Sequence, residues 1–292
     1  MKHLAAALNM AGGIRSLALE AVHKLSPSQA GHHVATGRVR CPVDYMRYAE
    51  FDAILRDLQI APRMDILDVS SPQWFSLYLA ATHPEAKFRY INILDAELDP
   101  YKEVADALGI KNLTYQRVDV RDMEFGDNSF QKVISISVIE HVYPEEDGDL
   151  RALKEIRRVL LPDGDLLLTV PYKTKSRIVY MDGPVYERGT EGRNFFAREY
   201  DRETFDTLVA RSGFTLKGSW FIYERKGLCA MDYYQSGAGK DTWPAKYVIK
   251  SRRLVERLLG RSLDEALAKQ CLSVSQQSSH RLANISATLK KV

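Results

Sequence analysis

The chain has 292 residues, 45% hydrophobic and 27% charged, with 17 Gly and 11 Pro; this balance excludes a wholly disordered, collagen-like or low-complexity protein. The net charge of +3 is unevenly spread: residues 1–40 hold five Lys/Arg against one acid and residues 245–292 hold ten against three, so the middle is net acidic. An acidic body speaks against general nucleic-acid binding, while basic ends suit either peripheral contact with a membrane surface or solvated helix faces. Three scattered cysteines (Cys41, Cys229, Cys271) form no CxxC pair, which argues against a disulfide framework or a metal site. They point to a reducing, cytoplasmic setting. No run of about 18 apolar residues suggests a spanning helix.

Residues 1–40 form a basic amphipathic segment with Gly12 and Gly13 interrupting its helical spacing. Its acid-poor composition is that of a transit peptide, but the spacing favours a helix that touches a membrane surface or packs on the body. His32 and His33 are adjacent, share no helix face and are expected in a loop. A single larger unit, 41–292, follows. Pro42 and Asp44 open a helix carrying Tyr45, Tyr48, Phe51, Leu55 and Leu58 on one face.

From Asp65 the rhythm alternates. MDILDVS is a short strand ending at Asp68, and PQWFSLYLAA is a helix with Pro72 near its first turn. FRYINIL is a second strand, expected to end at Asp95. Asp99-Pro100 opens a helix that Gly109 stops. LTYQRV is a strand ending at Asp119, and KVISIS one ending at Ser137. A helix with Leu150, Leu153, Ile156 and Leu160 on its apolar face follows, then a turn at Pro162-Asp163-Gly164 and the strand LLLTV, ending near Pro171. Strands alternating with helices predict an α/β, doubly wound, mostly parallel sheet with a ligand crevice beyond the strands' carboxyl ends. A carboxylate after the second strand suits a ribose diol, and one after the third suits an exocyclic amine. Asp68, Asp95 and Asp119 recur at equivalent places and point to a nucleoside ligand.

Other chemistries lack their marks. There is no GxGxxG after the first strand and no GxSxG elbow. Asp147-Gly148-Asp149 and Asp163-Gly164-Asp165 have the spacing of metal-dependent glycosyltransferases but read as turns beside a helix.

Val118–Val142 (VDVRDMEFGDNSFQKVISISVIEHV) with Leu153–Tyr172 (LKEIRRVLLPDGDLLLTVPY) resembles the class I S-adenosylmethionine-dependent methyltransferases, in their small-molecule, type 11-like branch. The resemblance runs from about Asp65 to Tyr223. It implies a Rossmann-like sheet of seven strands whose last is antiparallel, S-adenosyl-L-methionine as cofactor, and a small-molecule acceptor, sugar or lipid-linked in type. It also implies roles by position. Asp68, Ser70 and Ser71 shape the first loop, Asp95 holds the ribose, and Asp119 with the Val120 amide holds adenine. Ser135 and Ser137 lie under the methionine portion, and Arg47 reaches its carboxylate. His141 is the expected general base, because imidazole, with an ordinary pKa of about 6.5, accepts a proton at neutral pH. Tyr172 is expected beside the acceptor, with Arg193, Arg198 and Tyr200 as a substrate wall.

One departure is plain. The family's glycine-rich loop is replaced by Asp68-Val69-Ser70-Ser71-Pro72-Gln73-Trp74, which has no glycine, although glycine is what lets a backbone adopt positive φ near a ligand. The missing glycines motivate an alternative, a methyltransferase-like scaffold or partner protein without activity. With a core over 60–223 and a last strand over 283–290, residues 224–282 become a helical insertion. Its segment Pro244–Cys271 offers Val248, Leu254, Leu258 and Leu259 for burial, and the insertion either caps the substrate pocket or mediates dimerisation.

Overall fold

The structure is a computed structural model and describes residues 4–186, 191–224, 256, 262–277 and 282–292. The alternation read from the sequence is present. Strands β1 (Asp65–Val69), β2 (Lys87–Asn92), β3 (Leu113–Arg117), β4 (Phe130–Ile136) and β5 (Leu160–Pro171) are parallel neighbours in the order β3-β2-β1-β4-β5. The sheet then continues through β10 (Leu282–Lys291) and β8 (Phe214–Glu224), with β10 antiparallel to both flanking strands. It has eight strands rather than seven, because β9 (Leu272–Ser275) adds an antiparallel edge to β8. Two further strands, β6 (Arg177–Asp182) and β7 (Arg193–Glu199), form a separate antiparallel hairpin.

Side-chain alternation shows how both faces are covered. In β1, Ile66 joins one buried cluster while Leu67 and Val69 join the other. In β4, Ile134 and Ile136 face the first cluster and Val133 the second. A period of two places successive side chains on opposite faces of a strand. Helices α3 (Tyr45–Asp57), α4 (Gln73–Thr82) and α5 (Asp99–Leu108) cover the first face, and α6 (Gly148–Val159) and α7 (Arg202–Ser212) the second. The stops follow local chemistry. Gly109 and Gly213 end α5 and α7 at φ +70° and +78°, a conformation glycine adopts without penalty. Asp201 and Thr204 form a capping box at the start of α7.

The N-terminal segment packs on this body. Helix α1 (Ala5–Lys24) buries Ala7, Met10, Ala11, Ile14, Ala18 and Ala21. It runs unbroken through Gly12 and Gly13, and Gly13 serves close packing: a Cβ there would lie 2.2 Å from the Tyr78 ring. The Asp52 carboxylate accepts from the Ala6 amide at 3.1 Å, at the start of α1, while Arg56 binds its other oxygen; an anion suits the positive end of a helix. His32 and His33 lie in helix α2 (Ala30–Arg40), not in a loop.

Of the expected insertion, the described part is helix α8 (Leu263–Cys271) with β9. Ala268, Cys271 and Leu272 are buried against α3, so this part packs on the body. Val248, Leu254, Leu258 and Leu259 lie outside the described residues.

Candidate active site

A cavity of about 560 Å³ opens beyond the carboxyl ends of the parallel strands, within the size range of cofactor pockets. The loop after β1 shapes one side. Ser70 adopts φ +53°, the left-handed conformation that glycine would supply, and its amide and hydroxyl both donate to the Ile91 carbonyl, at 2.9 and 2.8 Å. The Ser71 hydroxyl accepts from the Ile136 amide at 3.1 Å, and the Ser71 carbonyl accepts from the Tyr90 hydroxyl at 2.7 Å. The loop is thus tied to β2 and β4 by serine hydrogen bonds instead of being freed by glycine. Asp68 lies beneath it, fully buried, accepting from the Ser71 amide at 2.9 Å and from the Ser76 hydroxyl. Burial pushes its carboxyl up to about 6, against the pull of these donors. Asp68 is therefore a support of the loop, while Ser70 and Ser71 themselves line the cavity.

At the end of β2 the structure corrects the sequence reading. The strand stops at Asn92, whose side-chain oxygen accepts from the Leu94 amide at 3.0 Å and turns the chain. Asn92 lines the cavity; Asp95 does not. Asp95 sits on a short 3-10 turn, its side chain 58% exposed and 3.4 Å from Arg117. Glu97, two residues on, does line the cavity and accepts from the Gln73 amide at 3.0 Å.

Beyond β3, Asp119 and Val120 line the cavity. Arg121 donates to both Asp119 oxygens and holds that carboxyl below the usual range, so a carboxylate faces the cavity at neutral pH. Arg121 also donates to the Tyr143 carbonyl at 2.6 Å, joining this loop to the one after β4.

Ser137, at φ +51°, ends β4 and lines the cavity. Its hydroxyl donates at 2.5 Å to Glu50, a fully buried carboxyl on α3 that also accepts from Thr169 at 2.9 Å, Asn284 at 2.7 Å and Arg47. Arg47 lines the cavity while held by Glu50. Ser135 is buried within β4 and away from the lining; one residue nearer the strand end would have been needed to reach it.

His141 lies on the 3-10 turn Ile139–His141 and lines the cavity. Its Nδ1 is 2.7 Å from the Phe196 carbonyl. A carbonyl only accepts, so Nδ1 carries the proton and Nε2 keeps the lone pair. Tyr143 and Tyr186, both about half exposed, complete the wall around it.

Four expected site residues are elsewhere. Tyr172 packs its ring against Phe205 and Phe221, at centroid distances of 6.0 and 5.7 Å; burial pushes its phenol up. Arg193 lies over the Tyr180 ring on the hairpin, 5.0 Å from its centroid. Arg198 is buried and donates to the carbonyls of Glu140, Val142, Pro144 and Glu145, with Asp149 at 3.4 Å. Tyr200 donates to Asp149 at 2.8 Å. Arg198 thus ties down the loop that carries His141, and Tyr200 shares its partner Asp149.

Residues 67–168 match the family model described as a methyltransferase domain, type 11. Over these residues the chain is similar to that methyltransferase domain family. Among solved structures, this methyltransferase fold is similar to YcgJ from Bacillus subtilis, at 14% identity over 82% of this chain and 96% of that one, with a TM-score of 0.51. It is equally similar to a SAM-dependent methyltransferase from Methanosarcina mazei, at 14% identity over 82% and 97%, with a TM-score of 0.51. At such identity the likeness is one of fold. No curated protein sequence matches the chain. Among the described residues, no helix is long and apolar enough to cross a membrane.

The donor set fits the family's cofactor with two substitutions of its own. An ionised carboxylate (Asp119), an amide (Asn92) and a guanidinium (Arg47) are spread along one cavity. Ser70 stands at positive φ in the loop after β1, and Asn92 ends β2.

Proposed function

We propose that the chain transfers a methyl group from S-adenosylmethionine to a hydroxyl or amine of a small-molecule acceptor, sugar or lipid-linked in type. The observation that carries this reading is the fixed imidazole of His141, its Nδ1–H anchored on Phe196 at the wall of a cavity with a nucleoside-type donor set. Asn92 would meet the ribose hydroxyls, Asp119 and the Val120 amide the adenine, and Arg47 the methionine carboxylate.

Bound S-adenosylmethionine supplies a methyl carbon already activated by its sulfonium. The chain's own residues then align the acceptor and hold its proton. His141 Nε2 takes the acceptor proton on its lone pair, and the pair of the broken O–H or N–H bond is left on the acceptor atom for the new bond to carbon. Tyr143 and Tyr186 give the acceptor an aromatic entrance.

The test is incubation of the protein with methyl-labelled S-adenosylmethionine and fractionated small-molecule extracts. Label should move to a small product, and His141→Gln should lower that transfer by about 10²–10⁴-fold while binding of S-adenosylhomocysteine is kept. Binding without transfer to any fraction would favour the inactive scaffold.

A further inference from the structure

Behind His141 lies a carboxyl that the proposed chemistry does not use. Glu140 is 1% exposed, and its Oε1 is 3.8 Å from His141 Nε2. That is too long for a hydrogen bond and close enough for opposite charges on the two groups to couple. Its Oε2 is buried without a hydrogen-bond partner among the described residues, a costly arrangement for a charged oxygen and a tolerable one for a neutral carboxyl.

We infer that Glu140 and His141 form one coupled acid–base pair, in which Glu140, a positioning residue that does not line the cavity, sets how readily His141 carries a proton. The inference rests on the reading of His141 as the base, and it adds a buried neighbour that tunes that base.

The surroundings of Glu140 support it. From α3 it faces Glu50, which disfavours a second negative charge, and Arg47, which favours one; Arg198 from β7 favours one too. Tyr200 feels the same carboxyl. Burial outweighs the two arginines and pushes Glu140 up to about 8. Burial thus favours the neutral form of the carboxyl near neutral pH. A proton arriving on His141 Nε2 makes the carboxylate form of Glu140 more favourable, and the pair titrates in joint steps. The coupling is reciprocal by linkage: removal of either partner must move the titration of the other.

The experiment uses the full chain without cofactor. Histidine-labelled protein is titrated by nitrogen NMR, and the buried carboxyl is followed by infrared difference spectroscopy. In Glu140→Gln the His141 titration should lose its high-pH shoulder, the part in which the ionising carboxyl favours imidazolium. In His141→Gln, which changes a residue at the cavity wall, the Glu140 carboxyl should ionise at higher pH than in the wild type. If Glu140→Gln fails to fold, the second measurement still decides. Unmoved titrations overturn the pair. Binding of S-adenosylhomocysteine, measured separately, decides the methyltransferase reading, so the two failures are told apart.

Discussion

Ser70 donates twice to the Ile91 carbonyl, from its amide at 2.9 Å and its hydroxyl at 2.8 Å, while standing at φ +53°. This relationship explains how a loop without glycine keeps the turn that the cavity needs. A left-handed conformation costs a side-chain-bearing residue about 1–2 kcal/mol, and the extra hydroxyl bond offsets about 1 kcal/mol of that.

A pair of substitutions separates these two terms. Ser70→Ala keeps the strain and loses the hydroxyl, so it should destabilise by about 1 kcal/mol. Ser70→Gly loses the same bond but sheds the strain, at an entropic cost of about 0.5–1 kcal/mol. Urea denaturation should therefore find Ser70→Gly at least as stable as Ser70→Ala; the reverse order would remove the strain argument.

The second prediction concerns the ribose. Asn92 lines the cavity and Asp95 faces Arg117 outside it. Asp95→Ala should leave affinity for S-adenosylhomocysteine within about twofold of wild type. Asn92→Ala should weaken it by about 1 kcal/mol, roughly fivefold. Calorimetric titration of both variants checks this, and a larger loss in Asp95→Ala would return the ribose to that carboxylate.

These two residues also show what the sequence carries and what it hides. The order of strands and helices was legible because alternation and punctuation by Gly and Pro recur from Asp65 to Pro171. The strand end at Asn92 was not, since Ile93 and Leu94 prolong the apolar run and only the Asn92 side chain, accepting from the Leu94 amide, breaks it. Cavity residues at strand ends, such as Ser70, Asp119, Ser137 and His141, were legible from position and family resemblance. Glu50 was hidden because a glutamate on a helix reads as solvent-facing; its partners Thr169 and Asn284 come from β5 and β10, remote in sequence. Arg198 and Tyr200, expected in a substrate wall, are buried at the end of β7, where their partners in the 140–149 segment are remote in sequence.

Arg198 yields the third prediction. It satisfies four carbonyls of the loop 140–145 and pairs with Asp149 in a buried site. Arg198→Ala leaves Asp149 without that partner, so it should cost about 3–5 kcal/mol of stability. Where the variant remains folded, affinity for S-adenosylhomocysteine should stay near that of wild type. Full stability in chemical denaturation would show that the brace is dispensable.

The fourth prediction is a pH dependence of stability. Glu140 stands at about 8 in the folded chain against an ordinary 4.5, so between those values the folded state binds more proton than the unfolded one. Its contribution is fully present below about 4.5 and is lost as pH rises through about 8, with a slope of up to about 1.4 kcal/mol per pH unit. Asp68 acts in the same direction between 3.8 and about 6. The stability of Glu140→Gln relative to wild type should therefore improve steadily from pH 5 to pH 8. A constant difference across that range would mean that Glu140 is not raised.

The cavity beyond β1 to β4 is proposed to hold the methyl donor despite its glycine-free loop. Titration calorimetry of the wild-type protein with S-adenosylhomocysteine tests it most directly, with Asp119→Ala as the matched control. Binding should saturate at a single site and be weakened in Asp119→Ala by about 1.5–3 kcal/mol, as for loss of a hydrogen bond to a charged group. No binding at millimolar ligand, or equal binding in the two proteins, would contradict it.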